Sequence, residues 1–295
     1  MLGIIPDKSL FEILCDKLKK ANEKYKEIIP WYIMTSKENN EETIEFFKVN
    51  EFFGYPKEYI RFFMQGELPM LDTKGRILVD ESGIIKEAAD GHGGVFEAMF
   101  KNEIFKDMQS RKIEWVFMGT IDNPLAKLTD EVFMGIGVTK GSLLLGKSAI
   151  KKNPEERVGV FCKKNNRPGV VEYSEITEEM ANLRDKEGNL LYGDLHMVCN
   201  IFNIKAIETI GVQKLPYHIA FKKAKYMDEN GGIIEPTEPN SYKFESFIFD
   251  AFEKVEDMVI FRTKREEEFA PVKNATGEDS PETARKLYND FNNKI

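Results

Sequence analysis

The amino-acid sequence predicts an α/β protein whose central sheet is mixed and mostly parallel, with an antiparallel insertion. Strand-like and helix-like segments alternate through the first half of the chain, which is the rhythm of a doubly wound sheet. Two apolar runs then flank the turn sequence Asn165-Asn-Arg-Pro168, which is typical of an antiparallel hairpin. No stretch rich in Pro, Gly and Ser divides the chain, so residues 1–295 are predicted to form one domain.

The elements of the first half follow from capping residues and apolar spacing. Ser9 and Glu12 form a capping box, which predicts a helix that begins there with Leu10, Leu14 and Leu18 on one face. Short apolar runs predict buried strands, and wider apolar spacing predicts helices. In order, the sequence predicts a strand over residues 31–34, a helix over 41–49, a strand over 59–64, a helix after the glycines of 91–94 and a strand over 114–118.

The second half begins with the hairpin and ends with a well-capped helix. Gly211 is predicted to end one helix, and Ser280 followed by Pro281 is predicted to begin the last one. The predicted elements are strands over 158–163, 169–175 and 195–202, a helix over 204–210, a hairpin around 230–232, a helix over 242–252, a strand over 258–261 and the helix that begins at 280.

Composition bounds the function. Hydrophobic residues make up 42% of the 295 positions and the net charge is −8, so no overall basic field attracts nucleic acid or an acidic membrane surface. No apolar run approaches the roughly 20 residues that a membrane span needs. Cys15, Cys162 and Cys199 are widely spaced and no CxxC occurs, which predicts free thiols in a reducing compartment, the cytoplasm.

Three polar features stand at the ends of predicted strands. Gln65 carries an amide that donates and accepts hydrogen bonds, and the Gly91-His-Gly-Gly94 run allows a backbone to approach a ligand closely. Asp122 follows a strand at the edge where parallel sheets bind ligands. Each also has a purely structural explanation: a solvated amide, an ordinary glycine turn, or an Asp that satisfies nearby backbone.

Two longer strings carry a family resemblance. Arg265-Glu-Glu-Glu-Phe-Ala-Pro-Val-Lys-Asn-Ala275 and Gly169-Val-Val-Glu-Tyr-Ser-Glu-Ile176 resemble the R-E-x-E-F-[SA]-P-x-K-N-A and V-V-E-Y-S-E-I runs of the eukaryotic-type UDP-sugar pyrophosphorylases, especially the UDP-N-acetylglucosamine and UDP-N-acetylgalactosamine enzymes. Phe63-Met-Gln-Gly66 resembles the family's F-x-Q-G, and the run from Lys243 to Asp250 resembles K-x-E-x-F-x-F-D. The agreement runs in register from about residue 9 to 285, and it implies a Rossmann-like nucleotide-sugar transferase fold.

The resemblance implies a reaction and a role for each matching residue. UTP and a sugar 1-phosphate would give UDP-sugar and pyrophosphate by in-line attack at the α-phosphorus, with Mg²⁺ as the cofactor. The implied contacts are Gln65, Gly91 and His92 with uridine; His92, Gly159, Glu172, His196, Phe247 and Phe249 with the sugar; Lys243 and Lys273 with the phosphates; and Asp122 with Mg²⁺.

The sequence departs from the family pattern at two points. His92 and His196 replace asparagines that face the sugar in the N-acetylhexosamine branch, which leaves N-acetylglucosamine, N-acetylgalactosamine, glucose and galactose open. The family's Gly-rich loop, L-x-x-G-x-G-T-R-L-G, does not occur. We therefore expect an N-terminally truncated family member, monomeric or weakly dimeric, with little or no turnover by itself. A catalytically inactive UDP-sugar-binding homologue and an α/β scaffold unrelated to sugars remain the alternatives.

Overall fold

The computed structural model describes residues 8–293 of the chain. The predicted helix starts are confirmed, because the Ser9 hydroxyl accepts from the Glu12 amide and the Ser280 hydroxyl accepts from the Thr283 amide. The α-helices of the described residues are α1 Leu10–Tyr25, α2 Asn40–Val49, α3 Val95–Lys101, α4 Ile104–Ser110, α5 Glu131–Lys140, α6 Glu178–Asn182, α7 Ile204–Gly211, α8 Arg265–Glu268 and α9 Pro281–Asn292. None of these helices is long and apolar enough to cross a membrane.

The predicted strands are also present, with bounds shifted at their ends. The strands are β1 Trp31–Thr35, β2 Ile60–Met64, β3 Glu67–Pro69, β4 Leu71–Asp72, β5 Glu87–Ala89, β6 Trp115–Gly119, β7 Leu144–Ile150, β8 Val160–Lys164, β9 Arg167–Val171, β10 Asp194–Asn203, β11 His218–Lys222, β12 Tyr226–Met227, β13 Ile233–Ile234, β14 Ser241–Glu245 and β15 Val259–Arg262. The sequence did not predict several of these elements, among them α5 and β7. Strand β7 is buried along nearly its whole length, so it shows no alternation between polar and apolar residues.

The main sheet has six strands in the order β15-β7-β10-β8-β9, and β6 also pairs with β10. This confirms the α/β class with a mixed sheet, but the expectation of mostly parallel pairing is wrong for this sheet. Strand β15 runs parallel to β7, whereas the β7–β10, β10–β8, β8–β9 and β10–β6 pairs are antiparallel. Strand β10 is buried on both faces although its neighbours are antiparallel, so its apolar run resembles that of a parallel strand.

Strands β1 and β2 form a separate parallel pair, and Gln65 directly follows the end of β2. Helices α1 and α2 cover one of its faces with an aromatic cluster centred on Phe47, which is fully buried. Its β1 residue Tyr32 donates to Asp107 of α4 at 2.6 Å, and Arg61 of β2 donates to the same carboxylate at 3.0 Å. The strand therefore has a fixed position relative to α4.

One predicted helix is wrong. Residues 242–252 form strand β14, which pairs with β11 and β4, and then a 3₁₀ helix at Ile248–Lys254. The change of direction occurs at Phe247, whose amide donates to the Asp250 carboxylate at 2.8 Å. Phe residues at helical spacing led to the helix prediction, but their burial results from the 3₁₀ turn that follows a strand.

The largest apolar cluster lies between the six-stranded sheet and helices α3, α4 and α7. Phe202 of β10 and Phe252 of the 3₁₀ helix are fully buried at its centre. Burial of each such ring contributes about 2–3 kcal/mol. This cluster fixes the 3₁₀ helix, and with it Phe247 and Phe249, against the sheet.

Candidate active site

The Gly91–Gly94 turn packs directly on the backbone that follows β14. The Gly93 amide donates to the Ser246 carbonyl at 2.9 Å, and the Ser246 amide donates to the Asp90 carbonyl at 2.7 Å. Gly91 has φ +88°, and a Cβ at this position would overlap the Ser246 carbonyl oxygen. Both the backbone conformation and the space therefore require glycine at position 91.

Replacing Gly91 by Ala is expected to lower the free energy of unfolding by about 2–3 kcal/mol, because strain at positive φ adds to a backbone clash. Chemical denaturation measures this loss. Gly135→Ala is the matched control, since Gly135 lies in α5 and a Cβ there has no heavy atom within 4 Å. That change is expected to stabilise by about 0.5–1 kcal/mol. Equal effects at the two positions would contradict this account of the turn.

Gln65 lies beside the glycine turn. Its backbone amide donates to the Thr35 carbonyl at 2.9 Å, which extends the β1–β2 pairing by one residue. Its side-chain amide donates to Asp90 at 3.3 Å, across 25 positions of the chain. Asp90 is 9% exposed, and burial raises its pKa to about 6. The sequence analysis did not identify Asp90, although it directly precedes the glycine turn.

His92 joins the glycine turn to an aromatic wall. Its ring lies 5.3 Å from Phe247 and 6.3 Å from Phe249, centroid to centroid. The Ile248 amide donates to His92 Nδ1 at 3.0 Å. Burial lowers the pKa of this histidine, so its ring is neutral at pH 7 and its proton is on Nε2. His92 thus retains one hydrogen-bond donor.

His196 lies behind the same wall. Its ring centroid is 6.0 Å from that of Phe249, and burial lowers its pKa to about 3. Nε2 lies 3.2 Å from Oδ1 of Asn200, whose Nδ2 is buried without a hydrogen-bond partner among the described residues. Strand β10 shifts register between His196 and Asn200. Because a bulge re-aims side chains, this irregularity directs both residues to the same place.

Glu172 and Gly159 come together beside His196. The His196 amide donates to the Gly159 carbonyl at 2.8 Å, and a Cβ on Gly159 would lie 2.9 Å from Oε2 of Glu172. Burial raises the pKa of Glu172, the nearby Glu175 raises it further, and Lys273 lowers it. Gly159 therefore leaves room for the half-buried Glu172 carboxylate, which the charge of the Lys273 ammonium stabilises.

Asp122 and Lys273 are adjacent through their backbones. The Val272 amide donates to the Asp122 carbonyl at 2.9 Å, and the Asp122 side chain accepts from Thr120. Lys273 is exposed and has no salt-bridge partner among residues 8–293. An exposed ammonium with no partner beside a carboxylate is available to an anionic ligand.

The metal prediction rests on Asp122 alone. In the described part of the chain, no group of three or more His, Cys, Asp or Glu residues could hold a metal ion. Mg²⁺ commonly takes one or two protein carboxylates and completes its shell with water and phosphate oxygens. Asp122 as a single ligand therefore fits Mg²⁺ when a polyphosphate is bound.

Lys243 is less directly connected than the sequence suggests. It lies on β14 and its ammonium donates to Glu245 at 2.8 Å. Glu245 is next to the glycine turn, because its Cβ would contact a Cβ on Gly91. Lys243 thus reaches the other predicted residues through Glu245.

The predicted residues form one chain of neighbours. It runs from Gln65 through the glycine turn and His92 to the aromatic wall, then through His196 and Gly159 to Glu172. The charge of Lys273 lowers the pKa of Glu172, and the backbone next to Lys273 bonds to that of Asp122. A cavity of about 360 Å³ near Ser142 and Val255 contains none of them. His218 lies between Glu175 at 2.9 Å and Asp250 at 3.0 Å, and its ring centroid is 4.6 Å from that of Phe247.

Sequence reasoning also missed the support beneath the Asp122–Lys273 segment. Asn123, 2% exposed, donates to the Glu268 carbonyl at 2.8 Å and accepts from the Ala270 amide at 3.0 Å. Lys147 and Glu268 form a buried ion pair in the same region. A Lys within an apolar strand was the available signal, because a buried charge requires a partner.

The fold is of the α/β class, with a mixed sheet beside which a glycine turn, an aromatic wall and an exposed lysine lie. The chain belongs to the UTP–glucose-1-phosphate uridylyltransferase family, whose model matches residues 1–279. The predicted resemblance to the UDP-sugar pyrophosphorylases is therefore confirmed.

Individual relatives agree with this assignment. The chain is 37% identical to a UDP-N-acetylglucosamine pyrophosphorylase of Saccharomyces cerevisiae, over 97% of this chain and 63% of the relative. It is 36% identical to UDP-N-acetylhexosamine pyrophosphorylase-like protein 1 of Xenopus tropicalis, over 97% of this chain and 58% of the relative. A crystal structure from Entamoeba histolytica, provisionally assigned as a UDP-N-acetylglucosamine pyrophosphorylase, matches with a TM-score of 0.88 at 33% identity, covering 97% of this chain and 74% of the other. The chain spans about three fifths of the length of these curated relatives.

Proposed function

We propose that this protein acts as a uridylyltransferase that makes a UDP-sugar and pyrophosphate from UTP and a sugar 1-phosphate. The observation that carries the proposal is the set of neighbours from Gln65 through the aromatic wall to Glu172, whose pKa the charge of Lys273 lowers. These residues offer a base edge, a sugar wall and a phosphate cation. A nucleotide sugar contains the same three kinds of group: a base, a sugar and phosphates. The names of the relatives support this reaction, and they do not favour the alternative of an inactive homologue.

The reaction needs no covalent intermediate with the protein. An oxygen of the sugar 1-phosphate attacks the α-phosphorus of UTP, the bond from this phosphorus to the bridging oxygen breaks, and pyrophosphate leaves with the electron pair. Catalysis then consists of positioning and charge stabilisation. Lys273 would contact the phosphates directly, and Lys243, tied to Glu245, would contribute its charge from the β14 side.

Asp122 would hold Mg²⁺, which supplies neutralisation of phosphate charge when it is bound. The carboxylate is oriented by Thr120 and by the Val272 contact with its backbone. Gln65 and Gly91 would hold the uracil. Glu172 would accept hydrogen bonds from sugar hydroxyls, in the space that Gly159 leaves.

We propose an N-acetylhexosamine as the sugar, following the names of the relatives. The neutral His92 ring supports this choice, because an Nε2–H donor can replace the amide of an asparagine in binding an acetamido oxygen. Phe247 and Phe249 would form the apolar wall beside it. We further propose that residues 1–295 act as one cytoplasmic domain, since Cys15, Cys162 and Cys199 are all unpaired.

Ligand binding by the 295-residue chain tests the proposal. UDP-N-acetylglucosamine is expected to raise the melting temperature, because a ligand that binds only the folded state stabilises it, while ADP-glucose is expected to have no effect. The shifts in melting temperature with UDP-glucose and UDP-N-acetylgalactosamine show which sugar binds best. Exchange of labelled pyrophosphate into UTP, dependent on Mg²⁺ and UDP-sugar, distinguishes an enzyme from a binding protein. Absence of a shift with every uridine nucleotide would rule the proposal out.

A further inference from the structure

Asp90 and Gln65 form an isolated pair next to the glycine turn. Nε2 of Gln65 donates to Oδ1 of Asp90 at 3.3 Å, and in the described part of the chain this is the one side-chain hydrogen bond to that carboxyl group. Gln65 remains partly exposed while Asp90 is buried. The amide therefore contacts the carboxylate on one side and keeps an open side.

The carboxyl group of Asp90 is enclosed by glycines. A Cβ on Gly66 or on Gly94 would overlap its oxygens. Its backbone is fixed at both ends, since its amide donates to the Gly66 carbonyl at 3.0 Å and its carbonyl accepts from the Ser246 amide at 2.7 Å. Asp90 thus cannot move away from Gln65 without disrupting the turn.

A carboxylate can only accept hydrogen bonds, so it determines which end of the neighbouring amide faces it. The –NH₂ group of Gln65 must point to Asp90 through one of its hydrogens. The carbonyl oxygen Oε1 and the second N–H are then left for a ligand. This arrangement matches uracil, which offers an N3–H donor beside the O4 acceptor. Cytosine offers the opposite pattern, an N3 acceptor beside an N4 amino donor.

We infer that Asp90 is the residue that makes this site select uracil over cytosine, by fixing the orientation of the Gln65 amide. The inference rests on the proposed function, because Gln65 must face the base. Asp90 is a positioning residue in this scheme and does not touch the nucleotide.

The alternative is that Asp90 merely supports the turn. An Asn in its place would hold Gln65 equally well and would avoid the cost of burying a charge, which raises the pKa of Asp90 to about 6. The presence of a carboxylate, which can only accept hydrogen bonds, at a buried position where its charge is costly supports the orienting role.

The test compares binding of UDP and CDP by calorimetry at pH 8 for wild type and Asp90→Asn. Wild type is expected to prefer UDP, and the variant to lose about tenfold to a hundredfold of that preference, because asparagine accepts either end of the amide. Glu97→Gln is the control, since Glu97 is exposed and acts on Asp90 only through its charge. This variant should keep the wild-type ratio of UDP affinity to CDP affinity.

The ratio of UDP affinity to CDP affinity of the wild type should also fall as the pH drops below about 6. A protonated Asp90 can donate to Oε1 of Gln65, so it no longer fixes the orientation of the amide. The groups that act on this carboxyl group are Gln65, with Glu97 and Lys101 of α3. The Asp90→Asn ratio should not change over this range. A wild-type ratio that is independent of pH would contradict the inference.

Folding is monitored separately. Burial raises the pKa of Asp90 in the folded state to about 6, so its ionisation lowers stability as the pH rises from its usual pKa to about 6, and this cost is fully present at pH 8. Asp90→Asn should therefore melt at pH 8 no lower than wild type. If wild type binds neither UDP nor CDP, the proposed function fails. If wild type prefers UDP and Asp90→Asn keeps the same preference, the inference fails while the function stands.

Discussion

Replacing Lys147 by Met is expected to lower the free energy of unfolding by about 3–5 kcal/mol, measured by urea denaturation. The Lys147 side chain is fully buried, and its ammonium lies 2.5 Å from Glu268 and 2.6 Å from Asp130. The Glu268 side chain is 1% exposed. Because Met removes the buried cation and leaves Glu268 only the longer contact with the more exposed Lys127, the variant has poorly compensated buried charge.

Lys127→Met is the matched control for this prediction. Lys127 pairs with the same Glu268 at 3.3 Å, but its side chain is 40% exposed, so its loss should cost about 1 kcal/mol or less. The double change Lys147→Met and Glu268→Gln should recover part of the loss, since it removes the main unpaired charge. The prediction is wrong if Lys147→Met loses no more free energy of unfolding than Lys127→Met.

The Lys147 ion pair also supports the candidate site. Glu268 ends α8, and the segment after it reaches Lys273 after being held by Asn123. Arg265, at the other end of α8, pairs with Glu156 at 2.5 Å and covers the Phe269 ring. The charges of this segment therefore fix its path between β7 and Asp122.

Replacing Lys273 by Ala is expected to weaken UDP binding by about 10- to 150-fold, because a charge-assisted hydrogen bond to phosphate contributes about 1.5–3 kcal/mol. Binding of uridine, which has no phosphate, should be unchanged. Pyrophosphate exchange by the active protein should fall by about 10²–10³-fold, since the charge that develops at phosphorus loses a preorganised cation. Calorimetry and labelled-pyrophosphate exchange measure the two effects.

Lys264→Ala serves as the control for Lys273. Lys264 is also exposed, and it pairs with Glu267 at 2.8 Å at the start of the same segment. This variant should bind UDP and uridine as wild type does. Equal weakening of uridine and UDP by Lys273→Ala would show a structural effect and would remove Lys273 from the phosphate site.

Much of the fold follows from the sequence, and the exceptions have physical reasons. Capping residues predicted α1 and α9 at their observed starts, and β10 appeared within one residue of its predicted bounds. The helix predicted over 242–252 is wrong because apolar spacing does not detect the Phe247–Asp250 cap that follows β14. The uniformly buried β7 has no period to detect.

The candidate site shows the same division. Literal strings identified Glu172 and Lys273 as residues of interest, and a glycine turn identified Gly91. No local pattern indicated Asp90, whose role depends on the hydrogen bond that it accepts from Gln65 at 3.3 Å. Asn123 likewise acts on residues about 145 positions later in the chain.

The sequence by itself determined the family, the order of most helices and strands, and the residue types that a nucleotide sugar requires, because these are encoded in short strings and capping signals. Only the tertiary structure decided the directions of the strands in the main sheet, the burial of Lys147 with Glu268, and the pairing of Asp90 with Gln65. These depend on contacts between distant segments, and the periodicity of a single segment carries no information about its partner.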